Sequence, residues 1–286
     1  MTPTTTTNTA SEPGLLLRLA GPLQSWGEHS HFNERDTAAF PTRSGVIGLL
    51  AAALGRRRGE PLDDLARLSL TVRVDRPGVL LSDLHTVGGG LPSKATVTTA
   101  EGKKRSGDTG TLLTHRAYLA DAAFTLALTG GSHDKALLAR LATALDSPQW
   151  PLFLGRRSCP PEGPLLLGAV DDALHHLVRL PLATDRTGSA DTADTPVGFL
   201  SDRPLDRLPI PDGATDPDDE DGKHPSGKVN DEPLSFHPRH RSYRTRLLYR
   251  RTLHLPDVHR ALGTEHLTAL SAYAYEHLNH PEGSRR

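Results

Sequence analysis

Between Gly14 and Leu167 the hydrophobic period of the sequence changes in a fixed order, and that order leaves few folds open. Leu15, Leu17 and Leu19 alternate with Leu16, Arg18 and Ala20, the two-residue period of a strand with at least one buried face. After a polar loop, SGVIGLLAAAL reads as a helix from about Ser44 to Leu54, with Gly55 where a C-terminal cap would sit. Leu70, Val72 and Val74 alternate with Thr71 and Arg73 and predict a second strand; Phe124, Leu126 and Leu128 predict a third. SHDKALLARLATAL sets Leu137, Leu138, Leu141 and Leu145 on one helical face, with Ser132 available as its cap. Leu152 to Leu154 and Leu165 to Leu167 offer a fourth strand on either side of a GRRSCPP turn. Strand, helix, strand, long arm, strand, helix, strand is the split βαβ order of an α+β, ferredoxin-like domain over residues 14–168, an RRM-like type of sheet.

The rest of the chain is less regular. Residues 1–13 are Thr-rich, with no basic start and no apolar run, and are expected to be a disordered tail, not a signal peptide. Residues 88–114 are rich in Gly, Thr, Ser and Lys and read as a long basic hairpin or mobile arm. Within 169–256, expected to be a small β-rich C-terminal region, residues 183–232 are dominated by Asp, Thr, Pro and Gly and read as a linker or disordered acidic insertion. From Tyr243 to Arg251 the odd positions Tyr243, Thr245, Leu247 and Tyr249 could face a core while Arg244, Arg246 and Arg250 face outward. Residues 257–286 carry a short helical pattern around Leu262, Leu267 and Leu270 and then fray.

Composition excludes several classes. At 286 residues the chain can bury a core without staples, and its one cysteine, Cys159, allows no intramolecular bridge. No Cys/His spacing suggests a metal, and no cofactor motif such as a P-loop is present. The longest apolar run, Val46 to Leu54, is too short to cross a bilayer, so a cytoplasmic protein with no membrane partner is expected. The net charge of −1 hides an uneven distribution: acids crowd 212–221, whereas Arg239, Arg241, Arg244, Arg246, Arg250 and Arg251 follow with no acid between Pro233 and Pro256.

Four features could carry chemistry. The helix start in PTRSG offers unpaired N–H groups, Thr42 or Ser44 as cap and Arg43 as a full charge, which would suit a phosphate or be an ordinary cap with a surface arginine. LQSWG places Trp26 beside Gln24 after the first strand, where it could stack on a base or cover the edge of the core. LGRRSCPP presents Arg156, Arg157 and Ser158 in a proline-stiffened turn, suited to phosphate oxygens or to surface salt bridges. His85 and His115 flank the basic arm and could serve as a general acid and base in RNA cleavage, if the fold lets them meet.

LRLAGPLQSWG, FPTRSGVIGLLAAALG, HTV before the arm, RAYLADAAFTLAL, LGRRSCPP and the later DEPLSF occur in the order of one family, and the chain closely resembles it: the CasD family, the RAMP-type subunit of type I-E CRISPR Cascade. The resemblance covers about Leu15 to Leu167 and resumes near Asp231 to Arg246. It implies a ferredoxin-like core with a protruding thumb β-hairpin at about 88–114, gripping the 5′ handle of the CRISPR RNA. The RNA would then lie near Gln24, Trp26, Arg35, Thr42, Arg43, Ser44, His85, Arg116, Arg156, Arg157 and Ser158. Lys94, Lys103, Lys104 and Arg105 of the thumb would touch the adjacent backbone subunit CasC, with the large subunit CasA a further neighbour and target DNA reached through the assembled complex. Cleavage of precursor RNA belongs to another subunit, CasE, in such systems, so the resemblance implies a binder without catalytic residues, cofactor or metal. Counterparts in type I-C systems are nucleases, which keeps a metal-independent endoribonuclease as the alternative.

Overall fold

A computed structural model of the chain describes residues 11–27, 30–31, 33–88, 92–96, 98, 102–104, 111–184, 194–218, 222–256 and 260–278. Its strands are β1 (Gly14–Ala20), β2 (Leu23–Gln24), β3 (Ser30–His31), β4 (Glu34–Arg35), β5 (Ser69–Arg76), β6 (Val79–Val87), β7 (Leu112–Ala120), β8 (Ala123–Thr129), β9 (Leu166–Val170), β10 (Asp194–Ser201), β11 (Gly227–Ser235) and β12 (Ser242–Pro256). The helices are α1 (Arg43–Ala53), α2 (Asp63–Ala66), α3 (Lys135–Asp146), α4 (Ala173–Leu177) and α5 (Gly263–Tyr273). A seven-stranded sheet runs β11-β12-β10-β5-β8-β1-β9, and a five-stranded one joins β2, β7, β4 and β3, with β6 paired to β7.

The four strands expected from the sequence stand side by side as β5-β8-β1-β9, each antiparallel to its neighbours, with α1 between β1 and β5 and α3 between β8 and β9. Every residue of β1 is buried, so the strand is covered on both faces. Leu15, Leu17 and Leu19 pack with Val46, Ile47 and Leu50 of α1 and Leu138, Leu141 and Leu145 of α3. Leu16 points the other way, into a second core with Leu177, Phe199, Leu253 and Leu270. Each such leucine contributes about 1.5–3 kcal/mol by leaving water. The sequence pattern required one buried face; the second comes from α4, α5 and the late strands.

The region beyond residue 168 corrects the expected division. Residues 183–232, expected to be a linker or disordered insertion, contain β10, which pairs with β5 on one side and β12 on the other. β12 is shared: Ser242 to Leu248 pair with β11, and Tyr249 to Pro256 with β10. The C-terminal strands therefore extend the first sheet, and core formation at Val197, Phe199 and Leu200 outweighs the polar composition around them. The pattern expected for 243–251 fails in part: Arg244 and Arg250 are exposed and Tyr249 is buried, but Tyr243, Thr245 and Leu247 are exposed and Arg246 is half-buried against Asp231. Arg251 is buried against Asp216 and the Leu205 carbonyl. The 152–154 half of the fourth strand is irregular loop. Residues 1–10 and 279–286 of the expected tails lie outside the described residues. No described helix is long and apolar enough to cross a membrane.

Buried His266 and half-buried His176 tie the two layers on the second face, with exposed His175 beside them. His176 Nδ1 lies 2.9 Å from the Tyr273 hydroxyl, His175 packs edge-on against His176, and His266 Nε2 is 3.3 Å from the Pro181 carbonyl. Burial depresses His175, His176 and His266 below their ordinary 6.5 and pushes Tyr273 up to about 12. Because the unfolded chain takes up protons first, their share of stability is complete above pH 6.5 and is lost as the pH falls through the depressed values. The melting temperature is expected to fall from pH 7 to pH 5, and His266→Gln, which can keep the Pro181 contact without titrating, should flatten that slope.

Candidate nucleic-acid interface

At the start of α1, Thr42 is the N-cap, with its side chain accepting from the Gly45 N–H. The anion that this helix end attracts is supplied by the chain itself: the Arg43 N–H donates to Asp231 Oδ2 at 2.7 Å. The Arg43 guanidinium, 4% exposed, pairs with Asp202 and with Glu232 at 2.5 Å, and donates to the Ala66 and Leu68 carbonyls at 2.7 and 2.8 Å. Arg246 closes the network on Asp231 at 2.6 and 3.0 Å. Burial raises the Asp202 carboxyl above the usual range against the pull of Arg43. The expected phosphate site at Thr42 and Arg43 is thus corrected to an internal ion-pair network, and half-buried Ser44 faces Thr42 Oγ1 at 3.4 Å.

Trp26 and Gln24 are corrected in the same direction. Trp26 is 1% exposed; its Nε1 donates to Gln24 Oε1 at 2.9 Å, and Gln24 Nε2 donates to the Leu19 and Ala122 carbonyls. A Cβ on Gly45 would lie 2.7 Å from the Trp26 ring, so the glycine lets α1 sit directly on the indole. The core-edge reading of LQSWG holds, and no base can stack there.

The arginine turn divides its two cations. Arg156 stacks 4.7 Å over the Tyr118 ring and donates to the carbonyls of Ala117, Arg35 and Asp36 at 2.9, 3.0 and 3.1 Å. It clamps the turn to β7 and β4 and has little left to offer a phosphate. Arg157 and Ser158, next in the chain, are exposed, whereas Cys159 is buried and its thiol is pushed up by burial, as suits a packed residue. The turn is held by the Leu154 N–H to Cys159 carbonyl bond at 2.7 Å and by Ser25 N–H to the Leu154 carbonyl at 3.1 Å.

The other expected residues gather on the β6–β7 ribbon, whose strands extend the basic arm down to Val79 and Ala120. Directly opposed residues share a face, so Asp83 and Arg116, and His85 and Thr114, lie together on one side. Arg35 of β4 is the neighbour of Arg116 across the parallel ladder and is exposed. His85 Nε2 is 2.7 Å from Asp83 Oδ2. Thr114 Oγ1 and Arg116 Nε are buried without a hydrogen-bond partner among the described residues, an arrangement costly unless a polar group docks there. Nothing in the sequence distinguished Thr114 from the other threonines around the arm.

His115 pairs with Leu84 and therefore points to the opposite face from His85, so the expected acid and base pair does not meet. That face is apolar, with Leu80, Leu84 and Leu113 each at least half exposed. Of the arm's cations, Lys94, Lys103 and Lys104 are exposed, and Lys104 Nζ donates to the Thr96 carbonyl at 2.9 Å; Arg105 lies outside the described residues. No described group of three or more His, Cys, Asp or Glu could hold a metal ion.

The fold and this interface fall in the class of CRISPR-associated proteins. A family model described as CRISPR-associated protein (Cas_Cas5) matches residues 14–249. Over 159 residues the chain is 41% identical to the CRISPR system Cascade subunit CasD of Escherichia coli (strain K12), spanning 54% of this chain and 70% of that one. Among solved structures, it superposes on a chain of a CRISPR RNA-guided surveillance complex with a TM-score of 0.76 and 42% identity, covering 92% of this chain and 99% of that one. A crystal structure of a Cas protein matches with a TM-score of 0.55 and 33% identity, covering 88% of this chain and 99% of that one. The chain belongs to the CasD/Cas5 family of CRISPR-associated proteins.

Proposed function

We propose that this chain is a non-catalytic, cytoplasmic subunit of a type I-E CRISPR Cascade surveillance complex that holds the 5′ handle of the CRISPR RNA and caps the CasC backbone. In this reading β5-β8-β1-β9 with α1 and α3 are the ferredoxin-like core, and the β6–β7 hairpin with its arm is the thumb. Lys94, Lys103, Lys104 and Arg105 then face CasC, CasA lies beyond, and target DNA comes to the chain through the assembly. The RNA-facing set narrows to Arg35, His85, Arg116, Arg157 and Ser158, with Ser44 at its margin, because the other expected residues are occupied internally.

The observation that carries the reading is the pair of buried polar atoms on Thr114 and Arg116, without partners among the described residues, beside exposed Arg35. Donors so placed suit phosphate and 2′-hydroxyl oxygens of a bent single strand. The relation to a Cascade subunit and to a chain of an RNA-guided complex supports the same class of ligand. Arg116→Ala with Arg157→Ala is expected to weaken binding of repeat-derived handle RNA by about a hundredfold or more, each charge-assisted contact contributing about 1.5–3 kcal/mol. The slope of log affinity against log salt should fall by about 1.4, or 0.7 per lost phosphate contact. Equal affinity with an unchanged slope would reject the site.

The 2.7 Å contact between His85 and Asp83 beside Arg116 keeps the endoribonuclease as a second reading, with His85 acting without His115. It requires cleaved repeat RNA after incubation with the purified chain in EDTA, lost in His85→Ala. RNA left intact removes it.

A further inference from the structure

Two arginine groups in the sequence are not used by the handle interface: Arg56 to Arg58 after α1, and the run that opens at Arg239. The fold brings them together. β11 runs along α1, so that Asp231 meets Arg43 and Phe236 lies 3.8 Å from where a Cβ on Gly48 would be. His237 then comes within 3.3 Å of the same point on Gly59. The β11–β12 turn thereby rests on the loop that follows α1.

That turn is built to be rigid. The His240 N–H donates to the His237 carbonyl at 3.2 Å around Pro238, and the Arg239 N–H donates to His237 Nδ1 at 3.3 Å. The two imidazoles stack with centroids 5.2 Å apart, and Phe236 anchors the base of the turn against the core. Arg57, Arg58, Arg239 and Arg241 are all exposed, and none forms an ion pair among the described residues. Arg56, by contrast, is held by Asp64, and Glu60 is the one acid of the 56–60 loop. Trp150, 39% exposed, stands beside this surface, because the Gln149 N–H caps the Ala53 carbonyl at 3.0 Å and its side chain covers Gly55.

Four exposed guanidinium groups, a stacked imidazole pair and an exposed indole on an otherwise near-neutral chain are the composition of a phosphate-backbone contact with an aromatic rest. Ser44, at the margin of the handle set, lies at the start of α1; this surface lies at the far end of the helix, about 16 Å along by helix rise. We infer that the α1 C-terminal loop and the β11–β12 turn form a second nucleic-acid surface, which grips the phosphate backbone of a strand independently of the arginine turn. Forked donors on a fixed turn favour sequence-independent contact.

The test uses the full chain with two fluorescent probes at low salt, a duplex DNA of arbitrary sequence and an unstructured RNA of equal length. Wild type should bind at least one. Arg58→Glu/Arg239→Glu/Arg241→Glu should weaken that binding tenfold or more and reduce the salt slope by about 2 to 3 units. The probe that loses more identifies the strand as DNA or RNA. The losses from Arg116→Ala/Arg157→Ala and from this triple should add in the quintuple variant, as independent sites do, and a quintuple variant no weaker than the worse parent would make the two surfaces one. A control triple, Arg140→Glu/Arg203→Glu/Arg207→Glu, changes net charge equally at exposed positions elsewhere and should have little effect. If the reversal compromises folding, as judged by melting, the alanine set at Arg58, Arg239 and Arg241 replaces it. Failure of wild type to bind either probe, equal affinity in the triple variant, or an equal loss in the control would overturn the inference.

Discussion

Arg43→Met is expected to lower the unfolding free energy by about 3–5 kcal/mol, a large share of the roughly 5–15 kcal/mol that a domain of ordinary stability has. The side chain neutralises Asp202 and Glu232 and donates to two carbonyls, so its removal leaves buried carboxylates and acceptors without their cation. Desolvation already raises Asp202, and without Arg43 it should be driven further toward its neutral form. A urea titration at pH 7 should show the midpoint falling with little change in slope. A surface arginine serving only RNA would leave the midpoint where it was, and that outcome would reject the network as a stability element. The variant should still bind handle RNA in proportion to its folded fraction, because Arg43 does not reach solvent.

Gly155→Ala is the second large effect. Gly155 has φ +90°, and a Cβ there would lie 1.7 Å from the Ser25 carbonyl oxygen, a backbone atom that cannot rotate away. Relieving the clash must separate the arginine turn from the strand end beside Trp26, and about 3 kcal/mol or more is expected from strain and broken contacts together. Arg157 moves with the turn, so handle RNA binding should fall together with the melting temperature. Gly102→Ala is the matched control: its φ is +79° with nothing within 4 Å, so it carries the conformational cost of roughly 1 kcal/mol without a clash. Melting curves that do not separate the two variants would contradict the account.

The sequence disclosed those parts of the fold whose signals are local. The alternation in β1, β5 and β8 and the helical stripe of Leu137, Leu138, Leu141 and Leu145 fall where the period put them. β6 escaped notice because Val79, Leu80 and Leu81 are apolar in succession and exposed on both faces, leaving no period to read. β10 was hidden by its polar flanks. At the interface, Arg43 and Arg157 look alike in sequence, each beside a turn-forming residue. What separates them is the arrival of Asp202, Asp231 and Glu232 at Arg43 from more than 150 positions away. The acid pair in DEPLSF was the available clue, since a buried strand that keeps two adjacent carboxylates needs cations opposite. The relative positions of His85 and His115 depended on a register that only the paired ribbon reveals.

The bond from the Arg43 N–H to Asp231 joins residues 188 positions apart. During vectorial synthesis the first helix therefore leaves the ribosome long before its counter-charge exists, and must wait with a bare cation and an unmet Arg43 amide while most of the polypeptide is still being made. A nascent fragment released before Asp231 would collapse its leucine-lined sheet yet lack the final latch. Completion of folding is thus timed to the emergence of the late hairpin.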